Sequence, residues 1–211
     1  MVHAWYACAM TLGFVLAFAA FACYLAGATL LGWLHLRRTG YSPVAQAVSD
    51  YGVGPTGRVF ALYVGAGSVG ALALTAALWV AGAPAVPGWI LGVLVGMAAA
   101  RTGLSLFPTD LEDRGLTRTG LIHYLFAVSN FACAYVAIRH LTPLLATAPS
   151  WEPARPLLAA LSWASTPALV ANCVTMVKPL RRIFGLCERA FIVVVALWFV
   201  TASGWLALTL R

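Results

Sequence analysis

Four ionisable residues are the candidates for chemistry in this chain: Asp50, Asp110, His123 and Glu188. They come from four separate segments, and all four are predicted to lie at the same face of the membrane. Ionisable groups are costly at membrane depth, so they are usually paired, turned towards a cavity, or functional. A carboxylic acid kept neutral by burial can donate a proton, and a histidine exchanges protons near neutral pH. We therefore predict acid–base catalysis, with Asp110 or Asp50 as the acid and with His123 and Glu188 orienting or reprotonating it.

Structural interpretations of the same residues stay open at this point. Asp50 could bond to its own backbone in a turn, and Thr109 with Glu112 fits a capping box around the third span's end. His123 could be a hydrogen-bonded interior histidine. Glu188 could be favoured by the helix dipole alone, because it opens the last predicted helix.

Four further residues are predicted to contact a substrate. Asn130 follows His123 by seven residues and therefore shares its helix face. Arg101 lies shortly before the end of the third span, where it can snorkel to the interface or pair with Asp110 or Glu188. Aromatic faces attract cations. Two tryptophans near mid-span are therefore expected to line an apolar cavity: Trp163 and Trp198.

Sequence motifs for metals and cofactors are missing from the chain. It contains no Walker loop, G-x-G-x-x-G, H-E-x-x-H or G-x-S-x-G. It also has no aspartate-rich run for magnesium diphosphate, and none of its five cysteines forms a C-x-x-C pair. We therefore expect neither a metal nor a cofactor, and the predicted chemistry is metal-free.

The elements that must position these residues are membrane spans. Hydrophobic residues make up 62% of the 211-residue chain and charged residues only 9%, against about a quarter charged in a soluble domain. A span needs about 20 apolar residues. The sequence predicts one domain, 1–211, an all-α bundle of six transmembrane helices at 11–34, 59–81, 88–107, 120–141, 156–177 and 188–210.

Basic residues predict the orientation of this bundle. Ten of the 13 lie in or beside the loops after the first, third and fifth spans, and such loops face the cytoplasm. Both termini are therefore predicted to be extracytoplasmic, in a bacterial cytoplasmic membrane. The net charge of +7 is then a topology signal, and we expect contact with membrane lipid and none with nucleic acid.

Three glycines at four-residue spacing form a small-residue ridge on the third span: Gly88, Gly92 and Gly96. Such ridges allow close helix–helix packing. We expect this ridge to pack against a neighbouring helix, and it is a candidate surface for a homo-oligomer.

Five short sequence pieces resemble a bacterial membrane family described as domain of unknown function 998. They are GYSP at 40–43, VSDYGVGP at 48–55, FPTD at 107–110, TGLIH at 119–123 and GLCER at 185–189. The resemblance implies six helices and a polar cluster on one side, without an activity. The chain is also similar, in size and apolar character alone, to small membrane-bound terpene cyclases of bacterial indole-terpenoid pathways.

Two classes of function remain. The first is an intramembrane acid–base enzyme for a lipophilic isoprenoid, a metal-free, proton-initiated (class II-like) terpene cyclase or isomerase. The second is a proton-coupled transporter, a lipid-handling protein or a sensor, in which the same residues relay protons. An assembly or anchoring subunit would need only the glycine ridge.

Overall fold

The computed structural model describes residues 2–37, 39–82, 84–111 and 115–211, with side chains from residue 8 onwards. The six long helices are α1 (Val2–Leu36), α2 (Gly57–Ala81), α3 (Gly88–Leu106), α4 (Arg118–Leu145), α5 (Arg155–Val174) and α6 (Phe184–Thr209). All six are long and apolar enough to cross a membrane. The prediction of an all-α protein with six membrane-spanning helices is confirmed, and no strand occurs within the described ranges.

Two helix starts differ from the prediction by more than two residues. Helix α1 begins at Val2 because no glycine or proline precedes Gly13 to interrupt it. Helix α6 begins at Phe184, so Glu188 lies in its second turn, and the first turn contains no acidic residue. The prediction that the dipole of the first helical turn favours Glu188 is therefore wrong.

The six helices form a ring in chain order. Each helix contacts the next one, and α6 returns to contact α1, while the shorter α5 packs on α4 and α6. Because each helix is long enough to cross the membrane, consecutive helices run in opposite directions. The loops α1–α2, α3–α4 and α5–α6 therefore share one end of the ring, which we call the basic face. Helix α2 ends at Gly82, whose positive φ of 62° closes the tight turn at the opposite end.

An apolar core fills the half of the ring that is distant from the basic face. Its members come from all six helices and include Ala17, Leu74, Leu94, Ile138 and Leu206. A second, smaller apolar cluster lies at the basic face and joins α1 and α2 to the loop between them. The space between these two clusters holds the polar residues described below.

The glycine ridge of α3 lies largely on the outside of the bundle. Gly88 and Gly92 are exposed, and a methyl group added to either would meet no atom of the chain within 4 Å. Only Gly96 approaches another helix, at Cys133 of α4. The prediction that Gly88 and Gly92 pack against a neighbouring helix of the chain is thus wrong. A homo-oligomer formed through this ridge stays a prediction.

Candidate functional site

The α1–α2 loop (residues 39–56) folds back into the mouth of the ring. Its short 3-10 helix, Val48–Gly52, buries Val48, Asp50 and Tyr51. The start of α6 supports it, because the Leu186 backbone N–H donates a hydrogen bond to the Val44 carbonyl at 3.0 Å. The loop and α6 are therefore docked through their main chains.

Glu188 and Arg189 fasten the same loop through their side chains. The Val48 N–H donates to Oε2 of Glu188 at 2.6 Å. Arg189 donates from Nη1 to the Gln46 carbonyl at 2.7 Å and from Nε to Nε2 of His35 at 2.6 Å. Sequence reasoning missed Arg189 and His35, although Arg189 ends the GLCER piece. Glu188 thus combines a structural bond with a position in the cavity described below.

Asp110 caps the amino terminus of α4. Its Oδ2 accepts the Thr117 N–H at 2.6 Å and its Oδ1 accepts the Thr117 hydroxyl at 2.9 Å. Thr117 is the N-cap residue, and its Oγ1 accepts the Gly120 N–H at 3.1 Å. A side chain at Gly120 would overlap the Asp110 carboxylate. The cap of α4 is therefore formed by Thr117 with Asp110. The predicted capping box of Thr109 with Glu112 includes Glu112, which lies outside the described residues.

His123 uses its two ring nitrogens differently. Nδ1 lies 2.7 Å from the Phe107 carbonyl, and a carbonyl only accepts, so Nδ1 carries the hydrogen. In the neutral ring Nε2 is then a hydrogen-bond acceptor. The ring is buried and Nε2 has no partner. The protein therefore presents a fixed, unused lone pair at this atom.

Most helices of the ring contribute to an inner cavity of about 90 Å³. Its wall is largely apolar, and seven of its side chains carry polar atoms: Tyr24, Ser49, Tyr63, Arg101, His123, Asn130 and Glu188. Four buried polar atoms in this wall have no hydrogen-bond partner: Tyr24 Oη, Arg101 Nε, His123 Nε2 and Asn130 Oδ1. Buried polar groups are normally satisfied, so their convergence makes this cavity the candidate site. Tyr24 was missed because a single hydroxyl in an apolar run carries no pattern.

Arg101 points towards the middle of the membrane. Helix α3 runs towards the basic face, and helical side chains tilt back towards their own amino terminus. The guanidinium packs against Gly67, inside α2, and its Cζ lies 5.4 Å from the centroid of the Tyr63 ring. Arg101 has no hydrogen bond or ion pair with any residue that the structure describes. Both predictions for it, snorkelling outwards and pairing with an acid, are wrong.

An outer cavity of about 410 Å³ adjoins the inner one at the basic face. Asp50, Asp110 and Arg181 line it, whereas Glu188 and His123 line the inner cavity. Ser49 of the α1–α2 loop borders both. The structure thus brings the four predicted acid–base residues to one end of the bundle, but as two pairs on opposite sides of a loop.

Neither predicted tryptophan lines the inner cavity. Trp163 is 70% exposed on the outside of α5, beneath Arg139. Trp198 is fully buried in the core, where its Nε1 donates to the Thr142 hydroxyl at 2.9 Å. The prediction that these two tryptophans line the cavity is therefore wrong: Trp163 lies on the surface and Trp198 packs in the core. The aromatic wall is made instead by Tyr24, Phe60, Tyr63, Phe131, Phe191 and Phe199.

The described part of the chain contains no group of three or more His, Cys, Asp or Glu side chains arranged to hold a metal ion.

The fold and the site together define a multi-pass helical membrane protein with a small, mainly apolar cavity near one membrane face. The profile of a family described as protein of unknown function (DUF998) matches residues 18–205. Since the match covers most of the chain, the protein belongs to the DUF998 family. No curated protein and no solved structure matches it.

The five sequence pieces that carried the resemblance to this family meet at the basic face. GYSP and VSDYGVGP form the α1–α2 loop that GLCER fastens, and FPTD supplies both the cap on α4 and the carbonyl bound by the histidine of TGLIH. The family's sequence pattern therefore coincides with the two cavities and their supports.

Proposed function

We propose that the protein is an intramembrane acid–base enzyme acting on a lipophilic isoprenoid, in a bacterial cytoplasmic membrane. The observation that carries this proposal is the unbonded, buried Nε2 of His123, which lines the same mainly apolar cavity as Glu188. An acid and a base in one mainly apolar cavity can add a proton to a substrate and remove another. The reaction class is metal-free cyclisation or isomerisation.

The geometry favours Glu188 over Asp50 and Asp110 as the proton donor. Its Oε2 holds the Val48 N–H, while Oε1 has no hydrogen bond to the described residues and remains for proton exchange. In the proposed step, the Glu188 O–H gives its proton to an alkene carbon and a neighbouring C–H proton passes to Nε2 of His123. Exchange with solvent removes the proton from His123 and reprotonates Glu188, which restores the enzyme, and the product is an isomer of the substrate.

The cavity limits how much of a substrate can enter. Small-molecule sites typically span about 300–1,000 Å³, against about 90 Å³ here. Only one end of an isoprenoid would therefore occupy the cavity, and the remaining chain would lie between helices towards the lipid. The reacting bond then lies near the inserted end, where aromatic faces can stabilise positive charge.

Proton-coupled transport, lipid handling or sensing is the alternative. The outer cavity with Asp50 and Asp110 favours it, because it places further carboxylates beside the inner site. The apolar core beyond the inner cavity counts against it, since a relay needs polar groups across the whole bilayer. The one-sided cavity therefore supports the enzyme more strongly.

The test uses membranes containing the protein, a panel of linear prenylated acceptors, D2O and mass spectrometry. We expect an isomeric product that carries one new deuterium. Glu188→Gln should lower its formation by about a hundredfold or more, the usual range for loss of a general acid. Glu152→Gln, an exposed carboxylate near the other face, is the matched control. No product across the panel would refute the enzyme and leave the alternative.

A further inference from the structure

Arg101 is a cation without a counter-ion at membrane depth. A guanidinium cannot lose its proton in a protein. Arg101 is half-buried, and a charge at membrane depth is costly unless it is paired or faces a polar cavity. Arg101 forms no ion pair within the described part of the chain, and its buried Nε has no acceptor. The charge therefore calls for an anion from outside the protein.

The position is built to hold the guanidinium in this direction. Gly67 is necessary, because any side chain there would overlap the Arg101 guanidinium. The Tyr63 ring lies beneath the cation at 5.4 Å, a distance at which a ring attracts it. Arg101 thus has its place on the cavity wall without any acidic partner.

Three more unpartnered groups line the same cavity. Tyr24, His123 and Asn130 are 8%, 1% and 4% exposed, and each has a buried polar atom without a hydrogen bond. The Tyr24 hydroxyl and the Asn130 amide can both donate, since amide oxygen and nitrogen are assigned by their partners. Glu188 is the acidic residue of the wall, and it bonds to Val48 instead of Arg101.

We propose that the inner cavity binds the anionic head group, a carboxylate or phosphate, of an amphiphile, with Arg101 as its counter-ion. The cavity volume of about 90 Å³ lies below the roughly 300 Å³ at which sites for whole small molecules begin. It fits an oxyanion and excludes a whole isoprenoid chain. The inference rests on the proposed function, because it names the inserted end of the same substrate.

Calorimetric titration of the purified protein in detergent tests this inference without turnover. The probes are geranylgeranoic acid, geranylgeranyl monophosphate, geranylgeraniol and inorganic phosphate. We expect the acid or the monophosphate to bind at least about tenfold more tightly than the alcohol, as for a charge-assisted pair. Arg101→Gln should abolish that preference. Arg139→Gln, which changes an arginine beside Trp163 outside the cavity, should retain it.

Two further variants guard against misfolding. Arg101→Lys keeps the charge and should keep part of the preference, whereas Gly67→Ala displaces the guanidinium and should reduce it with Arg101 intact. Equal binding of the two anionic amphiphiles and the alcohol to the wild-type protein would overturn the inference. If inorganic phosphate binds as tightly as the monophosphate and its binding depends on Arg101, the claim that the ligand is an amphiphile would be overturned.

The experiments distinguish failure of the head-group proposal from failure of the proposal that the protein is an enzyme. Arg101-dependent binding of the acid without any deuterated product would keep the head-group site and refute catalysis. Deuterated product from neutral acceptors, with no preference for the acid, would keep catalysis and refute the head-group site.

Discussion

At the scale of single residues, the two ring nitrogens of His123 have different roles, one structural and one proposed to be catalytic. Its Nδ1 is fixed by the Phe107 carbonyl, which leaves Nε2 free in the cavity. An amide side chain at position 123 can replace one of the two ring nitrogens while the other is lost. Asparagine places an amide N–H near the position of Nδ1, and glutamine places its amide near Nε2.

We therefore predict that His123→Asn retains the fold and loses turnover. The amide can keep the bond to Phe107, while the loss of a general base should lower product formation by about a hundredfold or more. Deuterium incorporation and a thermal melt measure the two effects separately. An active His123→Asn protein would show that Nε2 takes no part in the reaction.

Asp110 belongs to the same scale, but its role is structural. Asp110→Asn retains one acceptor for Thr117 and loses the charge beside the start of α4. We expect a loss of about 1 kcal/mol in unfolding free energy, as for a weakened cap, with turnover retained. A thermal melt and the deuterium assay check this. Lost turnover with an unchanged melting temperature would return Asp110 to the catalytic residues.

At the scale of elements, the α1–α2 loop is the part that shapes the inner cavity. It reaches the cavity through Val48 and Ser49, and α6 holds it by main-chain and side-chain bonds. Gly185 permits this contact, because a side chain there would overlap the Gln46 carbonyl.

Gly185→Ala should therefore release the loop. We expect faster amide hydrogen exchange over residues 44–52, since local opening depends on such tertiary contacts. Gly32→Ala is the control, because an added methyl group at Gly32 meets nothing within 4 Å. Equal exchange in the two variants would show that α6 does not hold the loop in place.

The sequence predicted helices better than it predicted the site. Long apolar runs and flanking charges located all six spans, because membrane helices depend on composition more than on precise contacts. Periodicity placed Asn130 on the face of His123, and both line the cavity. Loop folding carries no such period, so the bonds from Glu188 to Val48 and from Asp110 to Thr117 could not be foreseen.

The aromatic predictions failed for a related reason. Trp163 and Trp198 both lie near mid-span, but one faces outwards and the other lies in the core. When a helix is apolar on every side, its pattern does not show which face is internal. The same limit hid Tyr24 and the space that Gly67 makes for Arg101.

At the scale of the whole molecule, the ring has one polar end and one apolar end. The cavities lie at the basic face, and the apolar core fills the other half. The excess of basic residues predicts that this face is cytoplasmic and that both termini are outside. A fluorescent protein fused after Arg211 should therefore stay dark in bacteria, and alkaline phosphatase fused there should be active. The reverse result would invert the topology.

The central claim is that Glu188 and His123 exchange protons with a lipophilic substrate in the inner cavity. Turnover of prenylated acceptors in D2O, followed by mass spectrometry, tests it most directly. The account predicts a product with the substrate's formula and one hydrogen replaced by deuterium, formed by the wild-type and Glu152→Gln proteins and not by Glu188→Gln. A product without deuterium, or equal deuteration by Glu188→Gln, would contradict it.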